Sequence, residues 1–167
     1  MVNYIIQNNS VIIERLPVII DTNVLVAAFL ESDQNHEQAL IYLEICPNPI
    51  YVPVPVIIET WGMLVKARQS RIAGIKFMYW LLDSSKVTLI PGTCDKISDI
   101  SSIVDKLEVD SVDAFILTMA DDISVQCNLN PPVMIATFDT SDFLRFLSTR
   151  VYKFKLFDMR TLEEVDL

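Results

Sequence analysis

Short runs of branched apolar residues alternate along this chain with longer stretches of helical spacing, and that alternation leaves few architectures open. Residues 17–20, 50–54, 86–90, 133–137 and 152–157 each read as a strand. Between them, helix-like spacing covers Asn23 to Glu31, His36 to Ile45, Pro55 to Gln69, Ile72 to Leu82, about Asp95 to Leu107, Val112 to Val125 and Asp142 to Leu147. Pro55 suits the first position of its helix, where no N–H is needed. Pro53 marks a strand end or an edge, and Pro91-Gly92 punctuates the chain. Five strands separated by helices imply a parallel sheet covered on both faces. Right-handed crossovers then gather the strand carboxyl ends on one edge, where such sheets place their sites.

The chain of 167 residues suits one domain over 17–167. Residues 1–16 lie outside the alternation, and Tyr4-Ile-Ile and Val11-Ile-Ile around Gln7–Ser10 suggest a hairpin extension. The longest apolar run, Val24 to Leu30, is far too short to span a membrane. Without a basic start and cleavage motif, no secretory signal is visible, so a cytoplasmic location is expected. Cys46, Cys94 and Cys127 are odd in number and widely spaced, which argues against a disulfide framework or a zinc knuckle. Three glycines leave no phosphate-cradling loop. The lone His36 has no serine or cysteine partner in its sequence context, so triad hydrolysis is unsupported.

The chemistry-bearing candidates are acids. Asp21 stands directly after the first strand, as a ligand at the sheet edge or as the cap of the next helix. Glu59 lies early in the helix opening at Pro55, among Val56, Ile57, Ile58 and Trp61. The helix dipole accounts for an acid there, yet burial among those side chains would call for a counter-charge. Asp113 sits in the first turn of a helix apolar nearly all round, with Asp110 or Ser111 as its cap. Asp139 and Asp142 follow the strand 133–137, where they also fit a turn feeding a helix. Each position alone has a bland explanation. Their recurrence on the one edge where a parallel sheet exposes its strand ends shifts the weight toward a shared site.

Carboxylates crowded together raise one another's pKa unless a cation sits among them. Oxygen-only donors select hard ions, and Mg²⁺ or Mn²⁺ suits a partly hydrated site. Such an ion polarises phosphoryl oxygens and acidifies water, which points to phosphate-ester or phosphodiester hydrolysis. The net charge of −9, from 22 acids and 13 bases, runs against nucleic-acid binding unless metal ions offset the acids or the bases cluster. Two clusters exist: Lys66, Arg68, Arg71 and Lys76, then Arg145, Arg150, Lys153 and Lys155. Ordinary solvated faces explain either cluster equally well.

The segments Val18–Leu25, Ser111–Ala114 and Ala136–Phe143, with Glu59 between them, resemble the PIN domain, including VapC-type toxins of toxin–antitoxin pairs, over roughly residues 17–157. The resemblance implies a three-layer α/β/α sandwich with a central parallel five-stranded sheet. It also implies Mg²⁺- or Mn²⁺-dependent endoribonuclease activity. By that similarity Asp21, Glu59 and Asp113 would bind metal, and Asp139 or Asp142 would complete the set. Asn23 and Thr137 match positions that orient the site. Lys66, Arg68 and Arg71 are the candidates for contacting an RNA substrate. A homodimer and an antitoxin that threads a segment into the site are further implications.

Three other readings compete. A PIN-like module that binds RNA or protein without cutting would tolerate Asp21→Asn, whereas a nuclease would lose cleavage. A haloacid-dehalogenase-like phosphatase also ends a strand in Asp, but wants a second Asp two residues on, where this chain has Asn23. A receiver-type signalling domain wants a lysine after the last strand, and Leu156-Phe157-Asp158 offers none.

Overall fold

The computed structural model describes residues 3–7, 10–14, 16–92, 96–126, 133–147 and 154–165, the first two segments as backbone. Strands β1 (Asn3–Gln7) and β2 (Ser10–Glu14) pair as an antiparallel hairpin. The main sheet follows: β3 (Val18–Ile20), β4 (Ile50–Pro53), β5 (Val87–Ile90), β6 (Met134–Thr137), β7 (Lys155–Asp158) and β8 (Glu163–Glu164). Its order is β5-β4-β3-β6-β7-β8. The first five strands run parallel, as the spacing implies, and the two-residue β8 adds an antiparallel edge to β7.

Helices α1 (Thr22–Phe29), α2 (His36–Ile45), α3 (Val54–Gly62) and α4 (Arg71–Asp83) connect β3 to β4 and β4 to β5. Helices α5 (Ile97–Leu107) and α6 (Ser111–Gln126) carry the chain from β5 to β6, and α7 (Thr140–Leu147) joins β6 to β7. The first two crossovers step one way across the sheet and the last two step the other way. Right-handedness therefore puts α1–α4 on one face and α5–α7 on the opposite face. The packing agrees, with α1 against α2, α3 and α4, and α5 against α6. Val18, Ile19 and Ile20 have no exposed surface, as expected of a central strand covered twice. The core is completed by Leu25 of α1, Phe77 of α4, Ile116 and Leu117 of α6, and Phe143 of α7.

Several boundaries differ from the spacing. Pro53 ends β4, still in register with Ile90, and the helix begins at Val54 with Pro55 inside its first turn. The helix expected to run to Gln69 changes character at Met63. Residues Met63–Ala67 form a π-helical turn, which Arg68 closes by donating its N–H to the Met63 carbonyl at 2.8 Å. Residues 93–95, 127–132 and 151–153 lie outside the described set, and with them the expected starts of α5 and of the last strand, and Cys94 and Cys127. Cys46 is a buried free thiol. No helix among the described residues is long and apolar enough to cross a membrane.

Candidate metal centre

The chain leaves β3 toward β4 on one side and leaves β6 toward β7 on the other, so the adjacent carboxyl ends of β3 and β6 form the switch point of the sheet. Asp21 emerges there, its backbone N–H still bonded to Ala136 O at 3.1 Å. The side chain is only 5% exposed. Its Oδ1 accepts the Thr22 N–H at 2.6 Å, which caps α1. Its Oδ2 accepts the Thr137 hydroxyl at 2.6 Å and the Asn23 amide at 2.7 Å. The capping and the site readings of Asp21 thus coexist in two different oxygens. Asn23 also donates to Thr137 Oγ1 and accepts the Phe138 N–H, locking the start of α1 to the end of β6.

Glu59 enters from α3, where Thr22 donates its hydroxyl to Oε2 at 2.6 Å. Asp113 enters from the first turn of α6. The cap of that helix is Asp110, whose carboxylate accepts the N–H groups of Val112 and Asp113 at 2.7 and 2.9 Å. Asp113 is therefore relieved of capping, and its own carboxylate accepts no hydrogen bond from the described residues. Asp139 bonds the Ser141 N–H at 3.1 Å and so caps α7, while Asp142 pairs with Arg145. All five acids line one cleft of about 290 Å³. Thr22, Asp33, Asp110 and Arg68 line it too, whereas Lys66 and Arg71 do not.

Electrostatics reports the crowding. Burial pushes the Asp21 carboxyl up to about 6, against the pull of its bonds to Thr137 and Thr22, with Glu59 and Asp110 pushing the same way. Asp113 is pushed up to about 8, by burial first, then by the charges of Asp21, Asp110, Asp142 and Glu59. Among the described residues, no three acidic, histidine or cysteine side chains are set to hold one ion by direct contact alone. The donor set nevertheless fits a hard divalent cation that keeps several waters and takes one or two carboxylates directly. A cation there would offset the repulsion and desolvation that raise these acids.

The basic patches dissolve on inspection. Lys76 pairs with Glu31, Arg145 with Asp142 and Lys155 with Glu164, while Arg150 and Lys153 lie outside the described residues. His36 stands at the start of α2 with Nδ1 3.0 Å from Ala27 O, far from any nucleophilic arrangement.

A model of the PIN domain matches residues 18–148. The chain belongs to the PIN-domain family. Members of this family are typically nucleases and generally use divalent metals. Solved PIN structures share the fold at low identity. VapC20 of Mycobacterium tuberculosis, described as a sarcin-ricin loop cleaving toxin, superposes with a TM-score of 0.61 at 18% identity, over 81% of this chain and 95% of that one. VapBC2 of Rickettsia felis, solved on a DNA fragment from its promoter, gives 0.59 at 16% identity, over 86% and 100%. FitAcB of Neisseria gonorrhoeae gives 0.52 at 15% identity, over 77% and 91%. Comparison with curated protein sequences gives no match.

Sequence reasoning did not single out Thr22, Asp33 or Asp110 as lining the site. Asp110 carried a signal, an acid three residues before Asp113 at a helix start. Thr22 carried none for a bond to a residue 37 positions away.

Proposed function

We propose that this PIN domain is a Mg²⁺- or Mn²⁺-dependent endoribonuclease. The observation that carries the reading is the convergence of Asp21, Glu59, Asp113 and Asp142 on one cleft at the switch point, with two of them held far above the usual carboxylate range. The bound cation would polarise a phosphoryl oxygen and acidify a water. This chain's own residues supply the frame. Thr137 and Asn23 fix Asp21, and Thr22 fixes one oxygen of Glu59 while the other faces no partner among the described residues. Asp113 offers a carboxylate free of hydrogen bonds from the described residues. Hydrolysis joins the water oxygen to phosphorus and breaks the bond to the ribose oxygen in line. Of the two acids after β6, both line the cleft, and Asp139 or Asp142 completes the set.

RNA as the substrate class is supported by the likeness to VapC20. An antitoxin partner is supported by the likeness to VapBC2 and FitAcB, and an acidic cleft favours a partner that inserts a basic side chain. Exposed Ile58, Ile72, Tyr79 and Leu82 on α3 and α4 support a homodimer; a monomer in sedimentation at micromolar concentration would refute it. A module that binds without cutting is the second reading, favoured by the lack of three acids already set around one point among the described residues.

The test is cleavage of a mixed RNA pool with Mn²⁺, wild type beside Asp21→Asn and Asp113→Asn. Cleavage by wild type alone, abolished by EDTA, is the expected result. A folded, Mn²⁺-loaded wild type that leaves the pool intact would refute the nuclease and favour the module.

A further inference from the structure

Of the bases from Lys66 to Lys76, Arg68 is the one that lines the acidic cleft. It also lines a second cleft of about 320 Å³, with Phe29, Leu30, Ser32, Ser70 and the paired Glu31 and Lys76. The two clefts therefore share Arg68 as a lining residue. Its placement is built into the backbone. The π-helical turn ends in the bond from Arg68 N–H to Met63 O, Gln69 takes a left-handed φ of 53°, and Ser70 N–H returns to Leu64 O at 2.8 Å. The Ser70 hydroxyl then caps α4 by accepting the Ala73 N–H at 3.3 Å. A π-helical turn followed by a left-handed non-glycine residue is locally unfavourable, and such features concentrate where a side chain must be aimed.

What Arg68 is aimed at follows from charge. A polyanion approaching a wall of carboxylates on a chain of net charge −9 is repelled unless a fixed cation offsets it. The Arg68 guanidinium makes no hydrogen bond or ion pair with a described residue, whereas the Lys76 ammonium is tied to Glu31 at 2.7 Å. The guanidinium fork matches phosphate in a way that an ammonium does not. Phe29, Leu30, Ile72 and Ala73 give the second cleft apolar lining, and Ser32 and Ser70 are polar residues of the same lining. That combination suits one nucleoside, its base against the apolar residues and its ribose toward the polar ones.

We propose that Arg68 and the second cleft form the subsite for the nucleotide flanking the scissile bond, with the guanidinium holding that nucleotide's phosphate. The inference rests on the ribonuclease reading and separates Arg68 from Lys66 and Arg71, which line neither cleft.

The test uses the full chain and a fluorescein-labelled random-sequence RNA oligonucleotide. Binding is followed across a salt series, and cleavage kinetics are measured with Mn²⁺, for wild type, Arg68→Ala, Arg68→Lys and Lys66→Ala. Removing one phosphate contact should lower the slope of log affinity against log salt by about 0.7. Arg68→Ala should raise KM about tenfold with kcat little changed, as for a contact made equally before and during the reaction. Arg68→Lys should recover part of the salt slope but less of the affinity, and Lys66→Ala should match wild type. If Arg68→Ala and Lys66→Ala behave alike while wild type cuts RNA, the subsite is wrong and the nuclease stands. If wild type neither binds nor cuts RNA, the nuclease reading falls and the subsite with it.

Discussion

Replacing Asp113 by Asn should stabilise the metal-free protein at alkaline pH, which is the opposite of what its place in a helix would suggest. An acid in the first turn of α6 ordinarily adds about 0.3–1 kcal/mol through the helix dipole, so its loss should cost that much. The surroundings reverse the sign. With its carboxyl raised from 3.8 to about 8, Asp113 favours the folded state fully only below its unfolded value. That contribution is lost as pH rises from 3.8 to about 8. At 1.36 kcal/mol per pH unit the full cost of ionising the folded state is bounded at about 6 kcal/mol. Asp113 is partly exposed, and solvent screening reduces this to about 1–3 kcal/mol. Asparagine has nearly the same shape and never ionises. In EDTA, Asp113→Asn should match wild type near pH 4 and melt higher at pH 9. For a chain of this size the gain corresponds to about 3–10 °C. Thermal melts by circular dichroism across that range supply the assay. A variant that melts lower than wild type at pH 9 would refute the reasoning, because Asp113 would then be an ordinary dipole-stabilising acid and not a member of a repelling cluster.

Other expectations follow from the same geometry. Thr137→Val removes a hydroxyl that donates to Asp21 and accepts from Asn23 and the Asp139 N–H; it should cost about 1–3 kcal/mol in urea unfolding, and no loss would mean that the network is not maintained in solution. Mn²⁺ affinity should fall as pH drops from about 8 through about 6, because Asp113 and Asp21 must release protons to bind; calorimetry giving a flat profile would contradict those shifts. Gly74→Ala would bring a Cβ within 2.5 Å of Val65 Cγ2 and 3.2 Å of Trp61 and should destabilise by about 1–3 kcal/mol. Gly62→Ala meets nothing within 4 Å on a right-handed helical backbone and should stabilise by about 0.4–1 kcal/mol; melts of the pair in the reverse order would argue against the close packing of α4 on α3 and the π-helical turn.

The central strands were legible because they are buried on both faces, so they read as apolar runs such as Val18–Ile20 and Met134–Ala136, whereas the edge strand β5 is partly exposed. The acids at their ends were legible because a charge that interrupts such a run stands at the sheet edge whatever its role. What remained hidden depended on distance or on backbone phase. The two charged residues of β8 bury no apolar face and leave no period to detect. The π-helical turn over Met63–Ala67 keeps a helical composition while shifting the phase of everything after it. Lys66 and Arg68 lie two positions apart, on different faces, and Arg71 opens the next helix; of the three only Arg68 lines the cleft. The choice between Asp139 and Asp142 could not be made from order alone, since both suit a helix start. Both line the cleft, Asp139 while capping α7 and Asp142 while paired with Arg145.

The central claim is that these carboxylates share one divalent cation, and anomalous scattering from a Mn²⁺-soaked crystal tests it most directly. The expected result is a strong peak in the cleft within ligand distance of Asp21 or Asp113, with waters completing the shell and no such peak in Asp21→Asn crystals. A well-ordered cleft without a peak at millimolar Mn²⁺, or an undiminished peak in the variant, would contradict the account and return these acids to helix capping.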